Sequence, residues 1–192
     1  ERLFPMLQKS WRNFFHNAEL PFYFVQLSSL NRPSWPRFRD SQRRMASRLR
    51  NTWMAVTTDV GDSLDVHYRN KKPVGERLGL QALCHSYDYK IEAEGPVCHA
   101  VSMKDNGLEL QFVHAQSLSA KGGRLIGFEV AGADGIFYPA EAQITSSNTI
   151  LVRSSSVPRP LYVRYGWQPF TRANLVNEVG LPCSTFQWKV RK

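Results

Sequence analysis

Apolar residues in the first ninety positions follow two patterns: some recur at helical spacing, and others form short continuous runs. One helical stripe consists of Leu3, Leu7, Trp11 and Phe14 or Phe15. Two runs typical of buried strands follow it, LPFYFVQLSSL at 20–30 and TWMAVTT at 52–58. The alternation predicts an α/β region in which helices cover a parallel sheet. Because only two strands are present, the pattern predicts the last part of such a sheet.

Two further helices are predicted beside these strands. The arginine-rich segment 37–50 has helical spacing, with Phe38, Met45 and Leu49 expected to face a core and most of the arginines to face outward. The third helix begins at Pro73, because proline suits the first turn of a helix.

From about residue 95 onward the apolar residues alternate or lie in short β-branched segments. Gly, Asp, Asn, Ser and Pro separate these segments, as in AGADG and KDNG. The pattern predicts antiparallel strands in a β-sandwich-like module. The segment EAEGP at 92–96 is the expected boundary, which gives an α/β part at 1–92 and an all-β part at 93–192.

The chain is basic, with 25 Lys and Arg against 16 Asp and Glu and a formal net charge of +9. A charge of this sign favours acidic ligands or a solvated basic surface, and no nucleic-acid-binding motif accompanies it. No apolar run reaches the roughly 18 residues of a membrane span. Three cysteines without zinc spacing and five scattered histidines predict no metal site. The chain begins without methionine or a leader pattern, so we expect a fragment of a longer protein.

The candidate chemistry lies in the loop DVGDSLDVHYRNK, which follows the second predicted strand. Functional groups of parallel α/β sheets gather on loops at the carboxyl ends of strands. His67 is a candidate general base there, with Asp59, Asp62 and Asp65 as candidate orienting carboxylates. A purely structural polar loop is the alternative.

The same loop contains the tetrad G-D-S-L, which marks the nucleophilic serine of one class of esterases. Such a serine would lie after the first strand of its sheet, with its acid and base far downstream. Here His67 follows Ser63 by only four residues, and the later histidines fall in a predicted helix or in the β region. We therefore do not expect Ser63 to be the nucleophile.

The order of several segments resembles the C-terminal half of sialate O-acetylesterases, which are SGNH-type serine esterases. The most specific part is D-x-G-D, D-x-H and N-K in the loop, followed by the helix segment GERL. The segments GFEVAGADGIFYPAEAQI, VRYGW and NLVNEVGLP extend the resemblance over nearly the whole chain. It implies the C-terminal part of a flavodoxin-like SGNH hydrolase domain followed by the β-sandwich-like module.

The resemblance also implies catalytic roles. His67 matches the late catalytic histidine, whereas the GQSN-type nucleophile block and the QGESN-like oxyanion block of the family are absent from this chain. The chain alone is therefore expected to be inactive and to need the missing N-terminal half. The family's aspartate position, three residues before the histidine, is Leu64 here. The orienting role then falls to Asp62 first, to Asp65 second, or to a backbone carbonyl.

The implied substrates are O-acetylated sialic acid or another acetylated sugar, without cofactor, nucleic acid or membrane insertion. Gln26 and Arg39 are candidate substrate-binding residues; a satisfied polar group at a strand end and a salt bridge of Arg39 to Asp40 or Asp62 are the alternatives. Three alternative hypotheses remain: a non-catalytic carbohydrate-binding or structural β-module, an acetylxylan-type esterase, and an interaction subunit. Family members imply a secreted, periplasmic or lysosomal location.

Overall fold

The computed structural model describes residues 1–190 and contains a helical first part and an all-β second part. The helices are α1 (Leu3–Phe14), α2 (Trp35–Arg48) and α3 (Lys72–Ser86). Between them lie two short strands, β1 (Phe22–Val25) and β2 (Thr52–Ala55), paired in parallel in a mixed α/β arrangement. Below, residues 1–92 are called the α/β half and residues 93–190 the β half.

Strands β1 and β2 form because their apolar runs pack between helices. Phe4 of α1 packs against Phe24, with ring centroids 4.9 Å apart, and α2 and α3 both contact β2. The helix predicted at 37–50 begins two residues earlier, with Pro36 in its first turn. Its Met45 is buried as expected, but Phe38 is 57% exposed, so the prediction that Phe38 faces the core is wrong.

The β half contains ten strands, most of them antiparallel and of the length that sandwich folds use. They are β3 (Val97–Lys104), β4 (Gly107–Val113), β5 (Ser119–Ala120), β6 (Phe128–Ala131), β7 (Phe137–Pro139), β8 (Glu141–Ser146), β9 (Thr149–Arg153), β10 (Tyr162–Tyr165), β11 (Leu175–Val176) and β12 (Phe186–Lys189). Two four-stranded sheets result, in the orders β12-β10-β6-β7 and β3-β4-β9-β8, and β5 pairs with β11.

One apolar core joins the two four-stranded sheets. Alternate residues of each strand point inward, as the period of two requires. Leu108, Leu110 and Ile150 come from one sheet, and Val130 and Val163 from the other; all five are fully buried. This arrangement agrees with the predicted sandwich-like packing of the β half, whereas the strands at 97–104 and 186–189 were not foreseen.

The edge of β1 that faces away from β2 is open apart from one side chain. Phe22 and Gln26 donate their N–H groups towards β2, so Val25 and Leu27 direct their main-chain groups to the opposite edge. There the Leu27 N–H donates to Gln42 Oε1 at 2.9 Å, and Gln42 Nε2 donates to the Val25 carbonyl at 3.3 Å. The amide of Gln42 thus takes the place of a neighbouring strand at this end of β1.

Next to this edge, α1 presents most of its apolar side chains to solvent. Its exposed large apolar residues are Leu3, Met6, Leu7, Trp11 and Phe14. Burying such a surface is favourable by roughly 25 cal/mol per Å². The described residues therefore leave an apolar face beside β1 uncovered. Within the same residues, no helix has the length and apolar content of a membrane span.

Candidate active site

The predicted loop begins where β1 and β2 end, at the carboxyl edge of the parallel pair. Beyond the strands the pairing continues in the main chain: the Ser29 N–H donates to the Val60 carbonyl at 3.0 Å, and Ser29 bridges Gly61 in parallel. Farther along, the Asn31 N–H donates to the Ser63 carbonyl at 3.1 Å. The first residues of the loop are therefore an extension of the sheet, which fixes their path.

Gly61 permits this close approach. Its φ is +130°, a region that residues with a side chain rarely adopt. A Cβ at this position would also overlap the carbonyl oxygen of Ser29 and lie 2.9 Å from the Ser29 nitrogen. The G-D-S-L string thus contains a glycine required by the backbone contact.

A second anchor fixes the loop to α3. The Arg77 guanidinium donates to both carboxylate oxygens of Asp59 at 2.7 Å, and also to the Val56 carbonyl at 2.7 Å. Such bidentate pairs add geometric specificity to the charge attraction. Burial, together with the nearby Asp59 carboxylate, raises the pKa of Tyr68. Asp59 therefore braces the loop and is not free to orient a histidine.

His67, Asp62 and Asp65 lie together in the exposed middle of the loop. Asp62 Oδ1 accepts the N–H groups of Leu64 and Asp65 at 2.8 and 3.1 Å, and Asp65 Oδ1 accepts the His67 N–H at 2.7 Å. These main-chain donors lower the pKa of Asp62. Within residues 1–190, neither carboxylate hydrogen-bonds the His67 ring. Each aspartate nevertheless keeps a second carboxylate oxygen outside these bonds.

Ser63 has no base beside it in the described part of the chain. Its side chain is half-buried, and no histidine ring hydrogen-bonds its hydroxyl within residues 1–190. An activated serine needs such a base. The geometry therefore gives no support to Ser63 as a nucleophile.

Arg39, a candidate substrate-binding residue, is fully buried and binds carbonyls of the β half. Its guanidinium donates to the carbonyls of Gly166, Gln168 and Pro169 and to the Thr185 hydroxyl. Desolvation lowers the Arg39 pKa to about 10. The expected salt bridge to Asp40 or Asp62 is not formed, since Arg43 and Arg44 bind Asp40 instead. These contacts favour a structural role, and a role in substrate binding stays a prediction.

Gln26, the other candidate, is also buried. Its Nε2 donates to the Arg39 carbonyl at 3.0 Å and to Ser184 Oγ at 2.6 Å. The Gln26 Oε1 atom has no hydrogen-bond partner among the described residues. Gln26 thus connects α2 with the β half through its Nε2 donor alone, and its role in substrate binding stays a prediction.

A cavity of about 320 Å³ lies along β2, beside α3 and the segment that enters β3. None of the predicted site residues lines it. Glu94 lines it together with Gln81, which donates to the Ala93 carbonyl at 2.7 Å. Burial raises the pKa of Glu94, although His114 and His85 oppose that effect. The cavity therefore lies apart from the His67 loop.

Several residues that hold the site in place were missed by the sequence reasoning. Ser29 Oγ donates to the carbonyls of Thr58 and Thr171 at 2.7 and 3.1 Å and accepts the Thr171 N–H at 3.2 Å. It thereby joins both halves at the loop. Serine at a strand end carries no distinctive signal, and the Asp59–Arg77 pair spans 18 residues without a motif.

Within residues 1–190, no cluster of three or more His, Cys, Asp or Glu side chains is placed to hold a metal ion. Around His67, the carboxylates of Asp62 and Asp65 act as acceptors of main-chain hydrogen bonds.

Comparison with known proteins identifies a similar solved structure. No protein-family model matches the chain, and no curated protein sequence matches it. The chain is similar to the crystal structure of a novel carbohydrate acetylesterase from Xanthomonas citri, with 34% sequence identity and a TM-score of 0.90. The similarity covers 96% of this chain but only 44% of that protein. The chain therefore shares the fold of somewhat less than half of that protein.

Proposed function

We propose that this chain is the C-terminal part of a carbohydrate O-acetylesterase of the sialate O-acetylesterase type. The observation that carries the proposal is the similarity to an acetylesterase structure over 96% of the chain. In this proposal residues 1–92 complete a flavodoxin-like SGNH hydrolase domain, and residues 93–192 form its β-sandwich-like module. Acetylated sialic acid is the first candidate substrate, and another acetylated sugar such as acetylated xylan is the second. A secreted, periplasmic or lysosomal location is part of the proposal.

In the proposed reaction a serine from the missing N-terminal half attacks the acetyl carbonyl, and His67 accepts the proton of its hydroxyl. The tetrahedral oxyanion is stabilised by donors of that same half. The C–O bond to the sugar then breaks, and His67 returns the proton to the departing sugar hydroxyl. Water, deprotonated by His67, then attacks the acetyl-serine carbonyl; the C–O bond to the serine breaks, acetate leaves, and His67 returns the proton to the serine oxygen. The exposure of the His67 ring supports this role, since a proton shuttle must reach both groups.

The orienting group is proposed to be Asp62, with Asp65 or a backbone carbonyl as alternatives. Two N–H donors hold one oxygen of Asp62 and lower its pKa, so the carboxylate is ionised at neutral pH. Its other oxygen is outside these bonds. A carboxylate in this role fixes the tautomer and stabilises the imidazolium.

The uncovered apolar face supports the presence of a further part of the protein. Leu3 and Phe14 of α1 are 79% and 76% exposed, and α1 packs against β1 through Phe4. A sheet of two strands is marginal by itself, so additional strands at this edge would stabilise it. The proposed occupant is the N-terminal half of the same esterase.

Reconstitution tests the proposal. The chain is mixed with a separately produced N-terminal half, and release of acetate from acetylated sialic acid and acetylated xylan is measured. We expect hydrolysis only in the mixture, loss of about 10²-fold or more of it in His67→Ala, and little change in the matched control His99→Ala, which removes another exposed histidine. Ser63→Ala is also expected to retain activity.

Two outcomes would contradict the proposal. Full activity of His67→Ala in the mixture would remove the assigned base. Sugar binding by the chain alone, without hydrolysis in any mixture, would favour the non-catalytic carbohydrate-binding module.

A further inference from the structure

The His67 loop and the β half enclose a second cavity, of about 310 Å³. Asp59, Val60 and Gly61 line it on the loop side, and Lys121, Arg172 and Asn174 line it on the side of the β half. Its volume falls at the lower end of that of ligand pockets, which is about 300–1,000 Å³. The cavity begins six residues from His67 along the loop.

Hydrogen bonds from side chains and main chain to main-chain carbonyls hold the walls of this cavity. Asn174 Nδ2 donates to the carbonyls of Lys121 and Arg124, both at 3.0 Å, and the Lys121 N–H donates to the Asn174 carbonyl at 2.9 Å. On the other side, Ser29 links Thr58 to Thr171. A site with fixed walls loses less entropy when it binds a ligand.

The charge inside the cavity is positive. Its one lining carboxylate, Asp59, is paired with Arg77. Neither Lys121 nor Arg172 forms an ion pair or a side-chain hydrogen bond with any residue between 1 and 190; Arg172 lies over the ring of Phe170, with its guanidinium carbon 5.4 Å from the ring centroid. Two exposed cations with free donors thus line a cavity that also contacts the first residues of the His67 loop.

We propose that this cavity is a sugar subsite in which Lys121 and Arg172 bind the carboxylate of an acidic sugar residue. The inference rests on the proposed function for its place in catalysis, and it assigns substrate specificity to the β half. Guanidinium and ammonium groups bind carboxylates through charge-assisted hydrogen bonds. The carboxylate can belong to a uronic acid or to a sialic acid, which present the same group to the two cations.

Binding by the 192-residue chain itself tests the subsite without catalysis. Methyl β-glucuronide, the methyl α-glycoside of N-acetylneuraminic acid and the uncharged methyl β-glucoside are titrated into the chain, and amide chemical shifts are followed. We expect at least one acidic sugar to bind about tenfold or more tightly than the glucoside, because each charge-assisted hydrogen bond increases the affinity by about that factor. The acid that binds identifies the source of the carboxylate. Added salt is expected to weaken the binding.

Three substitutions test whether Lys121 and Arg172 bind the sugar carboxylate. Lys121→Gln and Arg172→Gln are each expected to weaken binding of the acidic sugar about tenfold, whereas Lys90→Gln removes an exposed lysine outside the cavity and is expected to leave it unchanged. Circular dichroism checks that all three variants are folded. Equal affinity for acidic and neutral sugars, or acidic-sugar binding that survives both cavity substitutions, would overturn the subsite.

The two proposals fail separately. If the mixture hydrolyses the substrate but the chain alone shows no preference for acidic sugars, the esterase proposal is retained and the subsite is rejected. Binding of an acidic sugar that depends on Lys121 and Arg172, without hydrolysis in any mixture, would retain the subsite and reject the esterase.

Discussion

Replacing Arg39 by methionine separates a structural role from a role in substrate binding. Methionine keeps much of the apolar volume of arginine but has no donors. It therefore removes four hydrogen bonds, to the Gly166, Gln168 and Pro169 carbonyls and to the Thr185 hydroxyl. These bonds connect α2 with the β half. We expect Arg39→Met to destabilise the packing of the two halves.

The size of the effect follows from three contributions. Hydrogen bonds to a charged group contribute about 1.5–3 kcal/mol each. Desolvation opposes them: it lowers the Arg39 pKa from 12.5 to about 10, which corresponds to about 3 kcal/mol. Two acceptors keep other donors, because Thr185 Oγ1 donates to the Gly166 carbonyl at 3.0 Å and Leu30 donates to the Pro169 carbonyl at 3.4 Å. The low end applies, about 3–5 kcal/mol, because desolvation offsets part of the gain and two acceptors keep other donors.

Thermal unfolding followed by circular dichroism measures this loss. For a chain of this length, about 1 kcal/mol lowers Tm by about 2–4 °C, so a decrease of about 10 °C is expected. Arg37→Met is the matched control, since Arg37 lies on the same helix but is exposed. If Arg39→Met unfolds at the same temperature as Arg37→Met, the structural role is refuted. Loss of sugar binding at unchanged stability would instead establish the substrate-binding role.

Two further predictions concern the loop and the cavity along β2. Gly61→Ala should lower Tm by several degrees, because a Cβ overlaps Ser29 and strained backbone costs about 1–3 kcal/mol. The control is Gly79→Ala in α3, where a Cβ meets no atom, and this variant should be neutral or stabilising. Equal Tm values for the two variants would contradict this reasoning. Burial raises the pKa of Glu94 in the folded protein, so ionisation above the ordinary value of 4.5 costs stability. Glu94→Gln should therefore be more stable than the parent at pH 7, and this advantage should shrink as the pH falls towards 4; an advantage independent of pH would contradict it.

Local patterns predicted those parts of the fold that depend on neighbouring residues. The apolar runs gave β1 and β2 because a buried strand needs apolar residues on both faces, and proline located the start of α3 within one residue. The strand at 97–104 was missed since its sequence has neither a continuous apolar run nor a clear alternation of apolar and polar residues. Phe38 was misplaced because helical spacing alone does not show which face of α2 meets the sheet.

The parts of the fold and the site that could not be predicted depend on contacts between residues distant in the sequence. Arg39 was predicted to bind substrate or to form a salt bridge with Asp40 or Asp62, whereas its acceptors lie 127 to 146 residues away in the chain. The position of the His67 loop could be predicted because it follows a strand, whereas the hydrogen bonds of Asp62 and Asp65 depend on the exact path of the loop. The Asp59–Arg77 pair likewise depends on how α3 packs beside β2.

The amide of Gln42 also bears on how the chain behaves in concentrated solution. An unpaired strand border is a template for intermolecular β-pairing, and repeated pairing of this kind leads to fibres. Because Gln42 binds the Val25 carbonyl and the Leu27 N–H, fewer main-chain groups at this edge are free to pair with a strand of another molecule. Gln42→Ala should therefore promote self-association on storage, so this one side chain protects the chain against fibril formation.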